Sequence, residues 1–297
     1  ANLLDNRLSL GAEVYLSKTS NLLTRKEVSY LTGLANMWTN EGELQNNGVE
    51  VSVSGILVNS KDWKWQAGFT MGHYANKITK LPSTDKINLY NIDESGMTST
   101  IYKTINGFTT SVYGKDNVLT AKNYAAGVFY GYKTKGVFKD NAEASTAGKY
   151  GYLKYPTGVV GDPSRDFKAG DVHFVDVNGD GWISEADMVK IGDPNPDIYG
   201  NIFTSLSWKR FTLDINFKYS LGNDIYDYQR SQLEQGNTVW NQSKALVNRW
   251  RYSGQETSIP RLMSTTNTEE WVNNERFSDR WIDNGSYLKL KKVRLTY

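Results

Sequence analysis

From Phe211 to Leu221 every odd position is apolar or aromatic and every even one polar up to Ser220, an unbroken period of two over eleven residues. Such a pattern is a strand with two unlike faces, because successive side chains point to opposite sides. A transmembrane strand needs ~9 to 11 residues, whereas strands of water-soluble proteins centre on ~5 to 6. The same alternation runs through Leu8, Leu10, Ala12, Val14 and Leu16, and through Trp63, Trp65, Ala67, Phe69 and Met71. Val49, Val51 and Val53 open another strand after Asn46-Asn47-Gly48, a triplet expected to supply the positive φ of a turn or bulge. Residues 122–132, 201–209 and 286–297 are further strand candidates. In the last, Leu288 and Leu290 are out of phase with Val293, Leu295 and Tyr297, which predicts a bulge at Lys291 or Lys292.

The connections are lopsided. Trp208-Lys209-Arg210-Phe211 reads as a tight turn, while residues 76–121 and 222–285 read as long polar loops with few apolar runs. Short turns at one end and long loops at the other are the habit of outer-membrane barrels, and the predicted fold class is all-β, an antiparallel transmembrane β-barrel. A secreted β-sandwich or lectin domain also has alternating strands and is the water-soluble alternative.

Composition supports strands. The chain of 297 residues carries 19 Tyr, 9 Trp and 10 Phe but only 6 Pro, and aromatics with a polar tip suit a boundary between water and lipid. No run approaches the ~18 apolar residues of a membrane helix. The balance of 34 Lys+Arg against 32 Asp+Glu gives no signal for nucleic acid. Cysteine is absent, and the only histidines are His73 and His173, which leaves little for nucleophilic catalysis; no carboxylate spacing marks a glycosidase pair, and no catalytic residue is assigned.

One motif carries inorganic chemistry. In residues 176–187, Asp176, Asn178, Asp180, Trp182 through its carbonyl, Ser184 and Asp187 fill slots 1, 3, 5, 7, 9 and 12 of an EF-hand-type loop, with Gly181 at the sharp turn. The expected ion is Ca²⁺ in a structural role. Asp rather than Glu in the last slot shortens the reach and leaves room for Mg²⁺. The lead-in Asp171-Val172-His173-Phe174-Val175 favours a strand, and residues 185–190 hold about one helical turn before the prolines, so a calcium sensor with two helices is not expected. An Asx-rich turn would use the same side chains for local hydrogen bonds.

The order of motifs from Asp171 onward resembles the SusC/RagA family of TonB-dependent outer-membrane transporters. The resemblance rests on residues 170–181, on Ile191-Gly192-Asp193-Pro194-Asn195-Pro196-Asp197-Ile198-Tyr199-Gly200, on residues 208–213 and 220–226, and on Asn248-Arg249-Trp250, Ile259-Pro260-Arg261, Ser278-Asp279-Arg280-Trp281 and residues 285–293. Residues 40–50 and 129–138 extend it, with less specificity, into the first half. The resemblance implies that residues 1–297 are a C-terminal portion of a plugged barrel of ~22 strands, of which about eight are visible here, with residues 171–192 as a metal loop on an extracellular excursion and the N-terminal plug absent from this chain. It also implies import of an oligosaccharide or oligopeptide across the outer membrane of a Gram-negative cell. The implied partners are a SusD-like surface lipoprotein, the TonB complex through the part missing here, and outer-membrane lipid. A siderophore-type receptor without a lipoprotein lid and a soluble, metal-stapled carbohydrate-binding module are the alternatives. Trp240, Trp250, Trp271 and Trp281 could stack on cargo, but packing between loops or at the membrane rim is the favoured role for each.

Overall fold

A computed structural model describes the chain except for residues 35, 94, 96, 113–114, 148–165, 237–239 and 263–273, and describes 30, 111, 112 and 115–117 by backbone only. In chain order the elements are β1 (Asn2–Leu3), β2 (Leu8–Glu27), β3 (Asn36–Asn59), β4 (Trp63–Lys80), β5 (Lys86–Ile92), β6 (Thr98–Val112), β7 (Lys115–Ala121), β8 (Val128–Gly131), β9 (Thr134–Val137), α1 (Asn141–Thr146), β10 (Val172–Phe174), β11 (Val189–Gly192), β12 (Ile198–Trp208), β13 (Phe211–Leu221), β14 (Asp224–Tyr226), α2 (Tyr228–Leu233), β15 (Ile282–Asn284) and β16 (Tyr287–Thr296).

Seven strands form one antiparallel sheet in the order β1-β2-β3-β4-β12-β13-β16. This is the wall. Its three tight connections, β1–β2, β3–β4 and β12–β13, share one end, and Lys209 in the last of them takes a φ of +52°. At the other end the chain leaves the wall after β4, returns at β12 directly beside β4, and leaves again between β13 and β16. The predicted asymmetry is therefore present. At ~3.4 Å per residue the 20 residues of β2 and 24 of β3 far exceed a hydrocarbon band of ~25 Å, so both overshoot towards the long-loop end.

The predicted bulge is also present: Asn216 pairs with Lys292 and Phe217 with Leu290, which leaves Lys291 as the extra residue. Three expectations need correction. Asn46-Asn47-Gly48 lies inside the continuous strand β3, and Gly48 is not among the positive-φ residues. What demands glycine there is the ring of Tyr15, its cross-strand partner, which occupies the space a Cβ would fill. The segment 76–121 is not a polar loop either. Most of it forms the end of β4 and strands β5, β6 and β7, and β5–β8 with β11 make a second sheet of five strands, ordered β11-β8-β7-β6-β5. Short strands with mixed faces, such as Lys86–Ile92, give too few periods for alternation to stand out. Of the candidate 122–132 only Val128–Gly131 is strand.

The buried core belongs to this excursion. One cluster joins Phe138, Phe167, Val172, Phe174 and Ile183, and another joins Leu89, Ile105, Leu119, Val128 and Tyr130. Asp171, fully buried, ties the first cluster to distant segments: it accepts hydrogen bonds from Arg261 Nε at 2.7 Å, Lys168 N at 2.8 Å and Asn274 Nδ2 at 3.2 Å.

Candidate functional site

Antiparallel partners lie on the same face of a sheet, so the register assigns every wall residue to a side. One side carries Leu10, Val53, Phe69, Ile202, Phe217 and Leu290 in a single cross-strand row, with Ala12, Val51 and Met71 on one flank and Trp65, Leu206, Leu213 and Leu295 on the other. Nothing among the described residues closes over it as a second sheet, and side chains such as Val14, Ile202 and Leu295 are 82%, 46% and 70% exposed. At the short-turn end this side finishes in a line of rings, Trp63–Trp208, Trp208–Phe211 and Phe211–Tyr297, with centroids 5.8, 6.3 and 5.0 Å apart. That line is the aromatic girdle of a lipid boundary. Slightly deeper, the Trp65 indole N–H donates to Thr204 Oγ1 at 2.8 Å, which satisfies a donor that lipid could not.

The other side is polar. Glu13, Glu50, Ser52, Thr70, Asn201, Asn216, Lys218, Lys289 and Lys292 face it, and it holds its own bonds: Tyr199 donates to Glu50 at 3.0 Å, and Asp214 takes Ser205 Oγ at 2.6 Å and Arg294 Nη2 at 2.6 Å. Rings on this side lie over cross-strand glycines, Tyr15 over Gly48, Tyr199 over Gly72 and Phe203 over Gly68. A glycine opposite each ring lets a bulky aromatic sit flat against the sheet and keep the interior open.

The acidic loop links β10 to β11. Asp176 winds it by accepting N–H groups from Gly179 at 2.7 Å and Gly181 at 2.8 Å, and both glycines need the positive φ they adopt, +74° and +85°. Asp180 accepts from Trp182 N at 2.9 Å and, across to β5, from Ile92 N at 2.8 Å, while Asn178 Nδ2 reaches Asn91 Oδ1 at 3.0 Å. The loop thus fastens onto the first hairpin of the excursion. Asp187 is fully buried, bonded to Val177 N at 2.7 Å and Ser184 N at 2.8 Å, and shares a capping box with Ser184 on a 3-10 turn at Glu185–Asp187. Burial pushes the Asp187 carboxyl up to about 7, the charges of Asp176 and Asp180 add to the rise, and the two backbone donors oppose it.

The fit to a hard cation is partial. The scaffold suits one, with four carboxylates in twelve residues, three of them (Asp176, Asp180 and Asp187) in ligand slots and Asp187 buried. The oxygens do not converge: among the described residues no group of three or more His, Asp or Glu side chains is placed to hold a metal ion. Asp176, Asn178, Asp180, Trp182, Ser184 and Asp187 share one loop, arranged as an Asx-type wrap around backbone N–H groups.

No family model matches the chain. TonB-dependent receptor P3 of Formosa agariphila is 29% identical over 299 residues, which take in 99% of this chain and 26% of that protein. TonB-dependent receptor SusC of Bacteroides thetaiotaomicron is 27% identical over 224 residues, 75% of this chain and 18% of the relative. The chain thus spans about a quarter of the length of the first of these relatives. Among solved structures, the RagAB peptide transporter matches 99% of this chain and 27% of its own with a TM-score of 0.67 at 22% identity. The RagAB peptide importer in its closed-closed state gives 0.66 at 24% identity. These likenesses cover wall and excursion together. Over nearly its whole length the chain is similar to part of the TonB-dependent receptors of the SusC/RagA type.

Around this barrel-like wall the remaining candidates fall in different places. His73 Nδ1 bonds the Asp197 carbonyl at 2.5 Å, and His173 stacks on Phe138 with centroids 4.3 Å apart. Trp281 is buried, with the Arg280 and Arg230 guanidinium groups 4.8 and 5.9 Å from its ring centre. Trp250 donates to the Lys139 carbonyl at 3.0 Å, Trp240 is exposed, and Trp271 lies outside the described residues. The residue that sequence reasoning missed is Asn195. Its Oδ1 accepts from Asn76 at 2.9 Å and Tyr74 at 3.2 Å, and its Nδ2 donates to the Ala126 carbonyl at 3.1 Å, so it locks the excursion to the wall where the chain re-enters β12. An asparagine held between two prolines was the available signal, since only a preset backbone aims a short amide so firmly.

Proposed function

We propose that this chain forms part of the wall and mouth of an importer that carries an oligosaccharide or oligopeptide across the Gram-negative outer membrane, driven through TonB and working with a SusD-like lipoprotein. The single observation that carries the reading is the partition of the wall: one apolar face open across six long strands, the opposite face polar and bonded to itself. A polar inner face lets a hydrated cargo pass without stranding its hydrogen bonds, and the excursion at the long-loop end offers a folded platform on which a lid protein can close. The likeness to RagAB favours a peptide cargo and a two-component assembly over a receptor without a lid. The soluble-module alternative needs a second sheet over the apolar face, and the described residues provide none.

Within this reading the acidic loop takes Ca²⁺ in a structural role, with the side chains of Asp176, Asn178, Asp180, Ser184 and Asp187 and the Trp182 carbonyl as its oxygen donors. The test of the whole reading is affinity purification of the full-length transporter from outer membranes, followed by uptake of labelled oligopeptides in cells with and without the gene. Copurification of a surface lipoprotein and loss of uptake on deletion are expected. Recovery from the soluble fraction, or unchanged uptake of every cargo, contradicts it.

A further inference from the structure

Between the long-loop ends of β2 and β3 and the start of the β5–β6 hairpin lies a cavity of about 380 Å³. Arg25 and Glu27 of β2, Asn36 of β3 and Asp85, Lys86 and Thr109 from the excursion line it. Asp85 is only 5% exposed. Thr84 Oγ1 approaches its Oδ1 at 3.4 Å, but its Oδ2 is buried with no hydrogen-bond partner, and the Oδ1 of Asn36 is in the same condition. Arg25 and Lys86 border the cavity, yet among the described residues neither pairs with Asp85. Burial lifts the Asp85 carboxyl above its ordinary range, the backbone of Glu27 and the Thr84 hydroxyl pull it back, and Glu27 and Glu41 add to the rise.

Two buried acceptors without donors in one polar cavity are costly unless a donor arrives, and a carboxylate asks for a cation. A neutral hydroxyl would satisfy the oxygens but leave the charge unanswered, and an anion would be repelled. A cation bearing several N–H groups meets both needs. We propose that this cavity binds a primary ammonium group on a ligand, with Asp85 Oδ2 and Asn36 Oδ1 accepting its hydrogens and Glu27 adding negative charge at the rim. Arg25 and Lys86 leave a place beside the ammonium for an anionic or acceptor group of the same ligand. A peptide amine and an amino sugar both carry this chemistry. The inference deepens the importer reading by naming a group its cargo bears, and it rests on that reading only for the ligand being the cargo.

The test is calorimetry on the full-length transporter in detergent, together with any lipoprotein that accompanies it. Two pairs of probes are titrated: tetra-alanine against N-acetyl-tetra-alanine, and the glucosamine tetrasaccharide against its fully N-acetylated form. In at least one pair the free amine is expected to bind about tenfold tighter or more, and the pair that shows the ratio identifies the source. Asp85→Asn should bring the ratio near one, and Glu27→Gln, a change at an exposed residue that spares the fold, should reduce it severalfold. Equal affinity within both pairs, no binding by either free amine, or a ratio that survives Asp85→Asn overturns the proposal; a cationic side chain reaching Asp85 from outside this chain would give the second result. Binding here needs neither TonB nor uptake, so failure of the importer reading in cells leaves this outcome separately readable.

Discussion

The wall and the excursion use the same residue types in opposite ways. In the wall Val14, Ile202 and Leu295 stand exposed on one face, and in the excursion Phe138, Phe174 and Leu119 are sealed inside small clusters. The wall is a membrane object whose apolar side chains are satisfied by lipid and whose backbone is satisfied by its neighbours. The excursion behaves as a water-soluble domain that must bury what it can and bond the polar groups it buries. Asp171 with Arg261 and Asn274 in the excursion, and Asn195 at the seam, do that bonding.

If the two regions are held by different forces, each has its own weak point. Phe174→Ala removes the centre of one excursion cluster and is expected to cost about 3–5 kcal/mol there. Limited proteolysis of the full-length protein should accelerate within the excursion while the heat-resistant gel migration of the barrel stays unchanged. Arg261→Met leaves the fully buried Asp171 carboxylate without its cation at 2.7 Å, a loss on the order of 3–5 kcal/mol. It should give the same proteolytic signature, while Arg294→Met on the open wall should give none.

Charge breaks the wall instead. Ile215→Arg on the apolar face is expected to cost about 2–4 kcal/mol, and Asn216→Arg on the polar face close to nothing. Outer-membrane abundance reads the difference between these adjacent positions. For the acidic loop, Ca²⁺ at a hundred times its dissociation constant should add roughly 3 kcal/mol to the excursion alone. Asp180→Ala should abolish that gain without unseating the barrel, and calorimetry without any Ca²⁺ or Mg²⁺ heat would remove the metal reading. The smallest effect belongs to the β12–β13 turn: Lys209→Gly relieves a left-handed φ and should gain up to about 1 kcal/mol in barrel unfolding.

The two regions also differed in how plainly they could be read from sequence. In the wall, each side chain's surroundings alternate with its position, so pattern and structure correspond even at the phase slip that places the bulge at Lys291. Gly48 was misread because glycine serves two ends, positive φ or close approach, and only the cross-strand partner Tyr15 distinguishes them. In the excursion most strands have seven residues or fewer, and in the longer β6 the apolar residues Ile101, Tyr102, Ile105 and Phe108 do not alternate, so the five-stranded sheet left no period to find, while β11 pairs with β8 out of sequence order. The acidic loop was legible as a local motif, because its glycines and aspartates act within a dozen residues. Its fastening to Ile92 and Asn91 was not, because nothing local encodes a partner so far back in the chain. The ammonium cavity lay further from view, since Asn36 and Asp85 meet only once wall and excursion are folded together.

The central claim is that the two faces of the wall meet different solvents. Single cysteines placed in turn at each position of β13 in the full-length protein, spin-labelled and reconstituted in lipid, test it directly. Collision rates with oxygen should peak at 213, 215 and 217, and rates with a water-soluble nickel chelate at 212, 214 and 216. A strand on which both reagents fail at the odd positions, as under a second packed sheet, would contradict the account.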